Sequence, residues 1–211
     1  MDNGTEAETG VGADCAYRDG NGNHLDEMLN INALSRMIED FCSVTGLMVD
    51  IIDRKSGEIL VAEGMKKICA TFHKDCPASE LYCKTAMDTR LVNNPPGHIK
   101  SNCELGLSTA SSCVTVNGEI VADIFIGPAF LEPVTLDQMK KVFKTVGVDI
   151  NAYHRMMEEV SVVSPEDLQT AISGLADAVR IMAEDGSDEE SKTLAAYKAL
   201  FMAKRGLLKD S

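Results

Sequence analysis

The segment KKICATFHKDCPASELYCKTAM sets Cys69, Cys76 and Cys83 at a spacing of seven, with His73 between the first two and Cys103 further along the chain. Thiolates are soft ligands, so Cys69, Cys76, Cys83 and Cys103 read as a candidate set for zinc or an iron–sulfur centre, with His73 as an alternative fourth ligand. Zinc sites usually hold their cysteines in pairs roughly two to four residues apart, and these gaps are wider. Two other readings therefore stay open: thiols that contact a ligand or respond to oxidation, and cysteine used as a small hydrophobe in a helical hairpin. Cys42 and Cys113 fall at apolar or alternating positions of a helix and a strand, where packing explains them, and Cys15 lies in a polar leader.

Catalysis needs a nucleophile, a base and an orienting group held together. Cys103, His73 and Glu104 can be written in those roles, but no spacing demands it. The chain lacks a phosphate-binding glycine loop, a metalloprotease motif and a nucleophile elbow. We expect no enzyme.

The elements that position these residues follow from periodicity. A leader over 1–23, rich in Gly, Asn, Asp and Glu, has too few large apolar side chains to offset its ordering entropy and is expected to be disordered. Leu34, Met37, Ile38 and Phe41 recur at helical spacing after Asn30 or Asn32 and stop at Gly46. LMVDIID and EILVA form a hairpin across Arg54–Gly57, and two short helices follow, from Met65 to Phe72 and from Pro77 to about Val92. Residues 98–127 read as strands with a tight turn at Asn117-Gly118.

A two-residue loop there sets Val114 against Val121, Ser112 against Asp123 and Ala110 against Phe125. On the other face Thr109, Ser111, Cys113 and Thr115 oppose Ile126, Ile124, Ala122 and Ile120. Small polar side chains facing large aliphatic ones leave room for a pocket wall. Helices are then expected to about Val146, from Asp149 to about Glu159, and from Ser164, with Pro165 at the first turn and a stripe of Leu168, Ile172, Leu175, Val179 and Met182. The last segment, 187–211, reads as an amphipathic helix with Leu194, Tyr197, Leu200 and Phe201 on one side, suited to dimerisation or connection.

A formal net charge of −13 repels phosphate backbones and anionic lipid, so nucleic acid is excluded as a partner. No apolar run has membrane-spanning length and the polar start is no targeting peptide, so a cytoplasmic protein is expected. Eleven methionines and no tryptophan give an adaptable apolar interior.

From about residue 24 to 185 the order of elements resembles the PocR-type sensory domain, a PAS-like module of prokaryotic signalling proteins. The resemblance rests on FCSVTGLMVDIID, on Cys69 and Cys83 bracketing the helical hairpin, on CELGL at Cys103 to Leu107, and on VTVNGEIVADIFIG. Where that family has Gly-Gln after the last strand, this chain has Gly127-Pro128, and Cys76 is an addition. The resemblance implies an α+β fold, a PAS-like antiparallel sheet flanked by helices, over 24–186. It also implies a sensor of small hydrocarbon derivatives such as alcohols or diols, coupled to a signalling output. No output motif is found in the chain.

Together these readings predict a ligand enclosed between the sheet and the 65–92 hairpin. His73, Cys103 and Ser112 would make polar contacts, and Met65, Phe72, Tyr82, Ile124 and Phe125 would form the apolar wall. The flanking helices would carry the signal within a homodimer. The alternative is a cysteine-rich metal or redox sensor.

Overall fold

The structure is a computed structural model, and it describes residues 24–75, 97–100, 103, 105–146, 150–184, 188–204 and 207. The predicted leader over 1–23, the second hairpin helix and residues 93–96 of the NNPPG break lie outside the described residues, as do Cys76, Tyr82 and Cys83.

Five strands form one antiparallel sheet in the order β2-β1-β5-β4-β3, where β1 is Met48–Asp53, β2 Ile59–Glu63, β3 His98–Lys100, β4 Ser108–Val116 and β5 Glu119–Ala129. The helices are α1 (Leu25–Met28), α2 (Ile31–Thr45), α3 (Lys67–Asp75), α4 (Leu136–Val146), α5 (Ile150–Glu158), α6 (Pro165–Ala183) and α7 (Glu189–Lys204). A sheet of this kind flanked by helices is the PAS-like α+β arrangement that the sequence led us to expect.

The helix boundaries follow their caps. Asn30 accepts a hydrogen bond from the Ala33 amide at 3.2 Å, and Gly46 closes α2 in the left-handed conformation. Ser164 accepts from the Asp167 amide at 3.1 Å, with Pro165 at the first turn of α6. Thr135 and Gln138 form a reciprocal capping box at the start of α4: the Thr135 amide donates to Gln138 Oε1 at 2.7 Å and the Gln138 amide to Thr135 Oγ1 at 3.3 Å.

Two apolar clusters result. The larger lies between one sheet face and helices α2, α6 and α7. It gathers Leu34, Met37, Ile38, Val49, Ile51, Ala110, Val114, Ala122, Ile124, Ile126 and the whole predicted α6 stripe. Full burial of each large aliphatic side chain here stabilises by about 1.5 to 3 kcal/mol. The smaller cluster joins α3 to α4 and α5 through Ile68, Phe72, Leu105, Leu107, Phe130, Met139, Tyr153, Met157 and Val160. Within it the Phe72 and Tyr153 rings meet edge-on with centroids 6.3 Å apart, and the Tyr153 hydroxyl donates to Asp75 at 2.8 Å.

The β4–β5 register differs from the expected one. Asn117 and Gly118 both have positive φ, as a primed hairpin turn demands, and Val116 pairs Glu119 and Thr115 pairs Ile120 as expected. The register then shifts, so that Val114 pairs Ala122, Ser112 pairs Ile124, Ser111 pairs Phe125 and Ala110 pairs Ile126. A bulge absorbs Val121, and a one-residue shift moves one strand's side chains to the opposite face relative to its partner. A second irregularity separates Ser108 from Ala110, near Gly127. A Cβ added at Gly127 would lie 2.9 Å from the Ser108 carbonyl oxygen, so the backbones there are too close for a side chain.

Candidate functional site

Strand alternation divides the sheet into two chemically different faces. Val49 and Ile51 of β1, Ile124 and Ile126 of β5, and Ala110 and Val114 of β4 all belong to the larger core. Their alternates, Asp50 on β1, Asp123 and Phe125 on β5, and Ser111 and Cys113 on β4, face the other way. These five are 7%, 2%, 2%, 5% and 9% exposed, respectively. Phe125 is therefore buried, yet it belongs to neither apolar cluster of the described residues. This face therefore combines two carboxylates, a serine, a cysteine and one aromatic ring, in contrast to the aliphatic side chains of the opposite face.

Register brings these groups together. Asp50 lies directly across from Phe125, Ser111 is the partner of Phe125 on the other side, and Asp123 pairs both Ile52 and Cys113. Arg54, just past the end of β1, donates to Asp123 Oδ2 at 2.7 Å, with both side chains almost fully buried. Burial pushes the Asp123 carboxyl upward, and Arg54 opposes that shift. Asp50 has no such cation. Its carboxyl makes no hydrogen bond or ion pair among the described residues, and burial alone raises it from 3.8 to about 6.

Asp53, the last residue of β1 and the one before Arg54, shows the opposite balance. Burial would raise it, but the Leu25 amide at 2.9 Å, the Ser56 amide at 2.7 Å, the Ser56 hydroxyl at 2.8 Å and the His24 ring at 3.1 Å outweigh burial and hold it at about 2. Its role is structural: it ties α1 to the β1–β2 turn.

The predicted site residues divide among several places. Phe125 stands on the polar sheet face. Ser112 and Ile124 are paired with each other and point to the opposite face. Ile124 is sealed in the core, and Ser112 borders a groove of about 240 Å³ against Ser173, Asp177 and Arg180 of α6. The structure thus does not bring Ser112 and Ile124 together with Phe125: the Val121 bulge shifts β5 against β4 by one residue and moves Ser112 to the Ile124 side, and strand alternation alone sets Ile124 opposite Phe125. Phe72 fills the smaller cluster, His73 lies half-buried beside it in the last turn of α3, and Met65 is 66% exposed ahead of that helix. Tyr82 lies outside the described residues.

Of the four proposed metal ligands, Cys69 and Cys103 are half-buried and both pack against the smaller cluster. Cys76 and Cys83 lie outside the described residues, and no group of three or more ligating side chains occurs among the described ones. Cys42 is a packed thiol, as expected: burial first, then Glu63, drives it up to about 12. Cys113 is buried, as its alternating position on the strand predicts, and is in addition disulfide-bonded, which the sequence reading did not foresee.

The groups that sequence reasoning passed over are Asp50, Arg54 and Asp123. The available signal was charge within otherwise apolar strands, in MVDIID and IVADIFIG, at positions that alternate with core residues.

A family model described as the sensory domain found in PocR matches residues 27–187, most of the chain. The chain belongs to this family. It is a ligand-sensing, signal-transduction domain of the PocR type. No curated protein and no solved structure matches it. Among the described residues, no helix is long and apolar enough to cross a membrane.

A second surface involves the helices that flank the sensory sheet. α2 and α7 border a groove of about 670 Å³ lined by Met37, Phe41, Val44, Tyr197 and Met202, with Asp40 and Lys198 beside them. Leu194, Tyr197 and Phe201 repeat at intervals of three and four on α7 and are 57%, 37% and 57% exposed, while Ala196 and Leu200 next to them are buried. The apolar surface of the helix is thus wider than the part that the core covers.

Proposed function

We propose that this chain is a cytoplasmic sensory domain that seats a small organic molecule, an alcohol, diol or related hydrocarbon derivative, on the sheet face of Asp50, Ser111, Asp123 and Phe125. One observation carries this reading. That face is buried but polar, its aromatic residue joins neither apolar cluster, and one of its carboxylates has no partner among the described residues. Buried polar groups of this kind give specificity, since leaving one unpaired costs roughly 1 to 3 kcal/mol. His73 and Cys103, with Phe72, lie at the smaller cluster, from which a ligand-dependent shift would pass through α3 to α5.

The relay runs through α2 and α7, and the occupant of their shared groove is a second copy of this chain. The groove and the apolar ridge beside it occupy the same face, as a two-fold interface requires. Asp40 on α2 and Lys198 on α7 offer opposite charges for reciprocal pairing in a molecule that is otherwise acidic. An output domain or protein reads the packing of these helices.

Two measurements test the reading. A rise in melting temperature with millimolar alcohols, diols or their derivatives supports the sensory seat, and no rise with any of them refutes it. Light scattering should report a dimer, and Val44→Glu and Met202→Glu should yield monomers; a wild-type monomer refutes the relay surface.

A rival reading keeps one favourable observation, the placement of Cys69 and Cys103 against the same cluster. Elemental analysis of protein purified without oxygen decides it. Near-stoichiometric zinc, or iron with sulfide, would make the cysteines a metal centre.

A further inference from the structure

We infer that the guest of the polar sheet face is a small organic cation, an amine bearing a hydroxyl, and that Asp50 is the carboxylate that receives its ammonium group. This rests on the sensory-seat reading above and narrows it from neutral alcohols to a charged class.

Val49 and Ile51 are fully buried in the larger core, so Asp50 between them points away from that core. It is 7% exposed, and its carboxyl has no hydrogen-bond or ion-pair partner among the described residues. Its neighbours across the strands are Ala62 on β2 and Phe125 on β5, neither of which can donate from its side chain. Glu63 of β2 pairs with Val49 and so belongs to the other alternation.

Charge accounting follows. On the same face Asp123 is already neutralised by Arg54 at 2.7 Å, which leaves Asp50 as one uncompensated negative charge among the described side chains there. Burial is the cause that lifts its titration, and among the described residues no cation offsets it. Retaining an unpaired buried carboxylate is expensive unless something arrives to satisfy it.

A neutral hydroxyl would donate a hydrogen bond but leave the charge in place. An ammonium does both, and charge-assisted hydrogen bonds are roughly twice as strong as neutral ones. Phe125, opposite Asp50, adds an aromatic surface of the kind that attracts cations. Ser111, on the far side of Phe125, offers a hydroxyl within the same row for the guest's own hydroxyl. The net charge of −13 also raises the local concentration of cations and lowers that of anions.

The test uses isosteric pairs on the full chain at neutral pH: 2-aminoethanol against ethane-1,2-diol, and 1-aminopropan-2-ol against propane-1,2-diol, by calorimetry. The expected result is that the amine of at least one pair binds about tenfold or more tightly than its diol. In Asp50→Asn that preference should vanish while the diol's affinity stays within about threefold. A diol that binds as well as its amine overturns the cationic guest and leaves the sensory seat standing. Failure of all four compounds overturns the cationic guest for this size class, and the wider alcohol and diol screen then judges the seat itself. An amine preference that survives in Asp50→Asn overturns the role of Asp50. If Asp50→Asn does not fold, Asp50→Glu, which keeps the charge but moves it by one methylene, should retain the preference for the amine; loss of preference in a folded Asp50→Glu with unchanged diol binding would also overturn the assignment of charge recognition to this position.

Discussion

Asp50 makes a quantitative prediction that needs no ligand. Burial raises its carboxyl from 3.8 to about 6, a change of roughly two pH units. Each unit corresponds to 1.36 kcal/mol, so the ionised group costs the folded state about 3 kcal/mol. The sign follows from proton uptake. Between about pH 4 and pH 6 the folded chain holds a proton on Asp50 that the unfolded chain has released, so stability falls as pH rises through this window. Below about pH 4 the cost is absent, and above about pH 7 it is complete.

Asp50→Asn removes the titration while keeping the shape. Its unfolding free energy minus that of the wild type should therefore rise by about 2 kcal/mol between roughly pH 4.5 and pH 7.5, with the remainder of the effect falling below that range. Any fixed cost of burying the amide without a partner, itself about 1 to 3 kcal/mol, cancels in this comparison. Urea unfolding at both pH values measures the difference. A difference that stays constant within about 0.5 kcal/mol would refute the view that Asp50 is buried without a compensating cation.

Three further outcomes follow from the same geometry. Arg54→Met strands the buried Asp123 carboxylate and should cost about 3 to 5 kcal/mol in urea unfolding, much of which the double change with Asp123→Leu should restore. Asp53→Ala leaves the Leu25 and Ser56 amides without their acceptor and should cost about 2 to 4 kcal/mol; because the native carboxyl is held at about 2, its stabilisation is complete above about pH 4 and is lost as pH falls through about 2. Cys42, pushed up to about 12 and packed into the core from the inner face of α2, should resist alkylation in the folded protein near pH 8 and react once urea unfolds it, whereas rapid native labelling would show that the core does not seal it.

Much of this fold was legible because its signals are local. Asn30 and Ser164 as caps, Gly46 as a stop, Asn117-Gly118 as a turn and the Leu168–Met182 stripe each depend on a few neighbouring residues, and the structure realises all of them. The candidate site was legible only in outline, because a pocket wall depends on register, and register depends on a bulge that no local signal announced. Val121 is a good strand residue with nothing in its type to mark it as the extra one. Its insertion turns the face expected to hold Ser111 with Ile124 into one that holds Ser111 with Phe125 and Asp123.

That exchange changes the chemistry, and it accounts for the charges that the strands contain. Under the expected register Asp123 would sit with Ala110 and Ser112, on the side that proves to be the main core, where a carboxylate would meet mostly apolar side chains. Under the observed one it reaches Arg54, and Asp50 joins it on the same face across Phe125. The choice between registers is therefore settled by the price of burying charge as much as by hydrophobic patterning. A strand pair that carries acids at alternate positions can keep them only where a cation, from the chain or from a guest, is able to meet them.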